Sequence, residues 1–228
     1  ETDIANASRP IKQSEAEACR AIGREPLEFR VGTDAVAVVV SHENTFLRDV
    51  TLEQLAAIFS SEAENWSDVD PSWPAEAIRR FSPGTDSGTF DYFVEQVLGK
   101  DADRLLKASN LQLNEDDNVL VQGVLGSPYA IGYFGYAYYH ENAGTLQALS
   151  IEGVPPTAET VGSGDYALAR PLFIYSTASV MREKPQVASF INFYLTYVDE
   201  EIIRVGYFPA SDEALSGARQ AWLEAMRP

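Results

Sequence analysis

Phe29-Arg30-Val31-Gly32-Thr33-Asp34-Ala35-Val36-Ala37-Val38-Val39-Val40 is the stretch whose reading decides the fold class. β-Branched side chains are stiff at χ1 and pack well on a pleated surface, so the run Val36-Ala37-Val38-Val39-Val40 reads as a strand. Its apolar residues are consecutive rather than alternating, which requires cover on both faces, as in a parallel α/β sheet. The apolar part, Ala35 to Val40, is the longest such run in the chain and far shorter than the ~20 residues of a membrane-spanning helix.

Working outward, strands and helices alternate. Thr2 to Ile11 reads as a short strand that ends in a polar turn. Ser14-Glu15-Ala16-Glu17 has the form of a capping box with Ser14 at the N-cap, and Gly23 suits the end of that helix. Thr51-Leu52-Glu53-Gln54 is a second capping box, followed by Leu52, Leu55, Ile58 and Phe59 on one helical face. Asn65-Trp66 and Pro71 to Pro74 form a turn-rich loop in which the tryptophan is a packing anchor. A helix after Thr89 places Phe90, Phe93, Val94 and Val97 on one face and ends at Gly99. Tyr129 to Phe134 and Pro171 to Ser176 read as strands. The clearest helix starts near Pro185, with Val187, Phe190, Ile191, Tyr194, Leu195 and Val198 at helical spacing. This alternation defines an α/β class.

Composition narrows the function. A chain of 228 residues can bury one large core or two lobes. Hydrophobic residues at 45% and aromatics at 11% exclude a disordered chain. With 17 basic and 34 acidic residues the net charge is −17, which argues against nucleic acid and anionic membranes, both bound mainly through Lys and Arg. Acidity does not oppose capture of a small anion, because a few aligned N–H groups can dominate the local field. One cysteine, Cys19, excludes a Cys-rich zinc site, and taken alone reads as a small buried apolar residue. No cofactor is expected. No signal peptide stands at Glu1, so the protein is cytosolic or its leader has been removed.

The chemistry concentrates in Ser82-Pro83-Gly84-Thr85-Asp86-Ser87-Gly88-Thr89. Pro83-Gly84 makes a turn, and Asp86 or Ser87 caps the helix that follows. A helix start leaves N–H donors unpaired and carries about half a positive charge. Ser87 and Thr89 add hydroxyls, and Gly88 lets an oxyanion approach the backbone. Such a loop suits a tetrahedral oxyanion; the plain alternative is an ordinary capped helix. Enzymatic readings fare worse. Asp86-Ser87-Gly88 has the form of an aspartic-protease triplet, but the second triplet is missing. A serine hydrolase would need His42 or His140, the two histidines, and neither has a recognisable setting.

Seven stretches in order resemble the phosphate-binding (substrate-binding) protein of bacterial phosphate ABC transporters, in the periplasmic binding protein type II superfamily. They are Asp3 to Ile11, Val31 to Val40, Leu52 to Phe59 with Asn65-Trp66, Pro83 to Phe93, Ala130 to Tyr139, Leu168 to Tyr175 and Val205 to Pro209. The likeness is greatest to the branch found in cyanobacteria. It implies a two-lobed fold with two crossover strands, near Phe29 to Val40 and Leu172 to Ser176. Lobe I would be residues 1–35 and 174–228, lacking its first strand-helix segment, and lobe II residues 36–173. It implies an extracytoplasmic binder of inorganic phosphate that serves a membrane permease, is a monomer, and is not an enzyme. Periplasmic or extracellular localisation, with or without a lipid anchor, follows. The implied phosphate ligands are Ser87, Gly88 and Thr89 with Ser8 and Arg9, and with Thr85 and Asp86 as further contributors. Arg9 stands where some members carry an Asp, and Pro83 where many carry an Arg, so selection of phosphate over sulfate or molybdate rests on the resemblance. The same resemblance implies a disulfide from Cys19 to a cysteine upstream of this chain. A phosphate-ester hydrolase using Ser87 is the rival from another class.

Overall fold

The computed structural model describes residues 2–227. In chain order the strands are β1 (Ala5–Ala7), β2 (Leu27–Ser41), β3 (Asp49–Val50), β4 (Arg79–Pro83), β5 (Leu111–Asn114), β6 (Ala130–Gly135), β7 (Leu146–Ala148), β8 (Ser150–Ile151) and β9 (Ala169–Ser176). The helices are α1 (Gln13–Ala21), α2 (Leu52–Ile58), α3 (Trp66–Val69), α4 (Gly88–Val97), α5 (Ala102–Leu106), α6 (Asp117–Leu125), α7 (Tyr136–Asn142), α8 (Ala158–Ser163), α9 (Ala178–Glu183), α10 (Pro185–Glu201) and α11 (Asp212–Ala225). The chain divides into two units, Glu1–Asp34 with Ala169–Pro228, and Ala35–Leu168. It therefore passes between them twice, once inside β2 and once just before β9.

In the first unit β1 lies antiparallel to β9, pairing Ala5 with Tyr175, and β9 neighbours β2. α10 and α11 close its core, where Phe29, Val31, Ile174, Ile191, Leu195 and Leu215 meet. α10 carries the expected apolar face, except that Phe190 is exposed. α1 begins two residues earlier than Ser14 suggests. Lys12 is the N-cap residue, and the Glu15 carboxylate, three residues on, accepts from the Lys12 N–H at 2.9 Å. Glu15 is held there by Arg9 as well, which sets the helix start ahead of the serine. Gly23, at φ 75°, ends the helix as expected.

In the second unit Ala35 to Val40 are all fully buried, so both faces of β2 are covered. Its partners are antiparallel, however: β6 pairs from Val36↔Gly135 to Val40↔Ile131, and β7 pairs with it through Val39↔Ala148. The parallel part of the sheet is β6-β4-β5. A run of buried valines reports cover on both faces and is silent about strand direction. The core here joins Ala37, Val39, Phe81, Leu120, Val121, Val124 and Phe134. Thr51 and Gln54 form the predicted reciprocal cap of α2, each bond at 3.0 Å. Trp66 is fully buried against Phe46 and Trp73 and donates through Nε1 to the Tyr129 carbonyl, which confirms its anchoring role. Among the described residues no helix is long and apolar enough to cross a membrane.

Candidate functional site

β4 delivers the chain to the Ser82–Thr89 loop, and its central place between β5 and β6 fixes where that loop starts. Arg80 on this strand is fully buried. Its guanidinium donates to the carbonyls of Ile58, Ala63 and Ser109, and burial lowers its pKa to about 10, still well above neutral. A positive charge beside the last carbonyls of α2 is favoured by the helix dipole. One step along, the Ser82 hydroxyl donates to the Pro83 carbonyl at 2.9 Å. Because a hydroxyl has a single proton, the 2.7 Å contact between Ser82 Oγ and the Tyr133 hydroxyl has Tyr133 as donor. Burial pushes the Tyr133 phenol above its ordinary value, so it remains a donor at any physiological pH.

The turn itself is tied at three points. The Gly84 N–H donates to the Asn114 carbonyl at 3.1 Å, across the parallel β4–β5 pair. The Ser87 N–H donates to the Gly84 carbonyl at 3.0 Å, which closes the turn. A Cβ on Gly84 would lie 1.7 Å from Glu115 Oε1, so glycine lets the Glu115 carboxylate rest directly on the loop. Ser87, with φ −82° and ψ 128°, is the N-cap, and its Oγ accepts from the Thr89 N–H at 3.2 Å. Ser87 rather than Asp86 therefore caps α4.

The helix behind the loop is held rigidly. Phe90, Phe93, Val94 and Val97 are buried, as their spacing predicts. Phe93 stacks on Tyr133 with ring centroids 3.7 Å apart at 9°, and Phe59 meets both rings edge-on at 5.0 and 5.3 Å. Thus one tyrosine fastens the helix through its ring and the preceding loop through its hydroxyl. The chain before Ser82 carries no local signal of this network; the tyrosine in the β6 pattern is its one visible trace.

Thr85, Asp86, Ser87, Gly88 and Thr89 are together on this loop, with Thr85, Asp86 and Gly88 exposed and Ser87 and Thr89 half-buried. Ser8 and Arg9 lie in the first unit, in the exposed turn after β1. Arg9 donates to both carboxylate oxygens of Glu15, at 2.9 and 2.7 Å, and to the Pro10 carbonyl. The Arg9 guanidinium in turn holds the Glu15 carboxyl down at about 2, so this pair is intact at any physiological pH. His42 and His140 are both exposed, the latter beside the Tyr136 ring. Cys19 is a half-buried thiol without a disulfide partner among the described residues. No group of three or more His, Cys, Asp or Glu side chains is placed to hold a metal there either.

Residues 1–197 match the family model described as PBP superfamily domain, and the chain belongs to that family. It is 44% identical over 230 residues to Protein SphX of Synechococcus elongatus, covering 96% of this chain and 66% of that protein. It is 37% identical over 199 residues to the phosphate-binding protein PstS of Staphylococcus saprophyticus, covering 85% of this chain and 60% of that one. Among solved structures, that of a possible phosphate binding protein from Planctomyces limnophilus superposes with a TM-score of 0.83 at 40% identity, over 99% of this chain and 81% of the other. The chain thus spans about two thirds or less of the length of the curated relatives it matches.

Proposed function

We propose that this chain is the anion-binding part of an extracytoplasmic solute-binding protein that captures inorganic phosphate and passes it to the membrane permease of an ABC importer. The observation that carries the reading is the start of α4, where Ser87, Gly88 and Thr89 open a ten-residue helix from a loop anchored on buried groups. Backbone N–H groups and hydroxyls converge there with the positive end of the helix dipole, a donor set that suits a tetrahedral oxyanion. Relatives whose printed names include phosphate binding support the choice of phosphate. Thr85 and Asp86 border the same loop. Ser8 and Arg9 have a secondary role, because the charge of Arg9 is already matched by Glu15.

The two units correspond to the two lobes in this proposal, and the protein acts as a monomer in the periplasm or outside the cell. Cys19 pairs with a cysteine upstream of this chain, consistent with that oxidising setting. Binding without turnover is favoured over hydrolysis, since Ser87 serves as a helix cap and both histidines are exposed on the surface. Calorimetric titration with phosphate and sulfate in parallel tests the assignment. Phosphate binding at least about tenfold tighter than sulfate, equivalent to ~1.4 kcal/mol, is expected. Equal affinities would point to another oxyanion such as molybdate, and turnover of a phosphate ester that is lost in Ser87→Ala would point to a hydrolase.

A further inference from the structure

Gly84 is a glycine for a reason other than its backbone. Its φ is negative, so the turn after β4 would accept an L side chain there. What stands in the way is Glu115. A Cβ on Gly84 would lie 1.7 Å from Glu115 Oε1, 2.4 Å from the carboxyl carbon and 3.1 Å from Oε2. Strand register sets up this contact. β4 and β5 pair in parallel as far as Pro83↔Asn114, the Gly84 N–H donates to the Asn114 carbonyl at 3.1 Å, and Glu115 is the next residue. Beyond it, the Asp116 N–H donates to Asn114 Oδ1 at 2.8 Å, and Asp116 Oδ1 accepts from the Asn118 N–H at 2.9 Å to cap α6. The chain is thus fixed on both sides of Glu115.

The Glu115 carboxylate itself is exposed. Among the described residues it accepts no hydrogen bond and meets no cation at ion-pair distance. Its charge is therefore neither used as a cap nor matched by an arginine or lysine. That charge is felt nearby: after burial and Asp116, Glu115 is the third cause that raises the Asp117 carboxyl to about 6. The anion loop is equally close. The Ser87 N–H donates to the Gly84 carbonyl at 3.0 Å. The ends of such a four-residue turn are less than about 7 Å apart, which leaves the carboxylate within about 10 Å of the Ser87 Cα.

We infer that Glu115 is a specificity-determining residue, a fixed negative charge on the anion loop that weakens capture in proportion to the charge of the anion. It opposes the anion without occupying the donors at the start of α4, and Gly84 keeps its seat open. Across roughly 10 Å near a protein surface, each unit of anion charge lowers affinity by about threefold. Singly charged tetrahedra are favoured over doubly charged ones, and phosphate has a singly charged form where sulfate in water does not. The inference rests on the start of α4 as the anion site and deepens the phosphate reading.

The test compares tetrahedral anions of fixed charge, sulfate and perchlorate, with phosphate alongside. Dissociation constants are read by NMR titration at low ionic strength, where screening is least. Glu115→Gln keeps the shape and removes the charge. It should tighten sulfate by about tenfold and perchlorate by about threefold. Gly84→Ala adds a methyl that displaces the far end of a flexible side chain. It should tighten the same anions in the same order but by less, and add nothing in the Glu115→Gln background. Equal gains for the two anions, or gains of the two variants that simply add, would overturn the filter. If sulfate and perchlorate follow the expected pattern while the unaltered protein binds phosphate no tighter than sulfate, the filter stands and the phosphate reading fails. If no tetrahedral anion binds the unaltered protein or either variant, both fall.

Discussion

Two polar turns follow strands in this molecule, Ser82–Thr89 after β4 and Ser8–Lys12 after β1, and they are built in opposite ways. The first is fastened to the interior through Ser82, Tyr133 and Phe93, and opens directly into a helix start. The second is exposed, and its arginine, Arg9, is folded back onto Glu15. A chain of net charge −17 offers many carboxylates that can neutralise a mobile arginine. Backbone dipoles held by a packed helix cannot be neutralised that way. The lesson is that positive potential in this acidic protein is more dependable when it comes from the main chain.

Breaking the support of the first turn should have the largest effect. Phe93→Ala removes the ring that stacks on Tyr133 and should cost about 3–5 kcal/mol of stability, read from denaturant unfolding. A loss below ~1 kcal/mol would mean that the helix is not held by this stack. Ser87→Ala acts on the mouth itself. It should weaken phosphate binding by about 1.5–3 kcal/mol, roughly ten- to a hundredfold, and cost about 1 kcal/mol of helix capping.

The second unit also holds two helix starts of opposite character. The start of α6 carries Glu115, Asp116 and Asp117 where the start of α4 carries hydroxyls and glycine. Burial, with Asp116 and Glu115 adding to it, raises the Asp117 carboxyl to about 6, against an unfolded value of 3.8. An acid raised in the folded state penalises folding once it is ionised. The penalty is therefore full above pH 6 and disappears as pH falls from 6 to 3.8. Asp117→Asn should accordingly stabilise the protein at pH 7, by about 1 kcal/mol after screening of this half-buried group, and have no effect near pH 4. Urea unfolding at both pH values checks it, and an equal effect at both would contradict the cause given. The smallest change is expected for Arg9→Met, less than roughly threefold in phosphate affinity, because an exposed, already paired cation contributes little. A loss as large as that of Ser87→Ala would reverse the ranking of the two turns.

Much of the local structure was legible because its causes are local. The α4 face, the Thr51–Gln54 cap and the burial of Ala35 to Val40 follow from spacing and side-chain type alone. What stayed hidden depends on partners far along the chain. The antiparallel pairing of β2 with β6 joins residues about a hundred positions apart. The Ser82–Tyr133 bond spans 51 positions and Asp34–Arg170 spans 136. Even the cap of α1 is not Ser14, because Arg9 and Lys12 both claim Glu15 and so move the N-cap to Lys12. Of the candidate site, the Ser87–Thr89 loop was readable as a capped helix start. The pairing of Arg9 with Glu15 was not, since a partner six residues on is chosen by the fold of the turn.

Backbone amide NMR during a phosphate titration reaches the central claim most directly. If the start of α4 grips the anion, the N–H signals of Gly88 and Thr89 should move strongly downfield and saturate with the calorimetric binding curve. Saturable phosphate binding that leaves those two signals in place would show that the anion sits elsewhere.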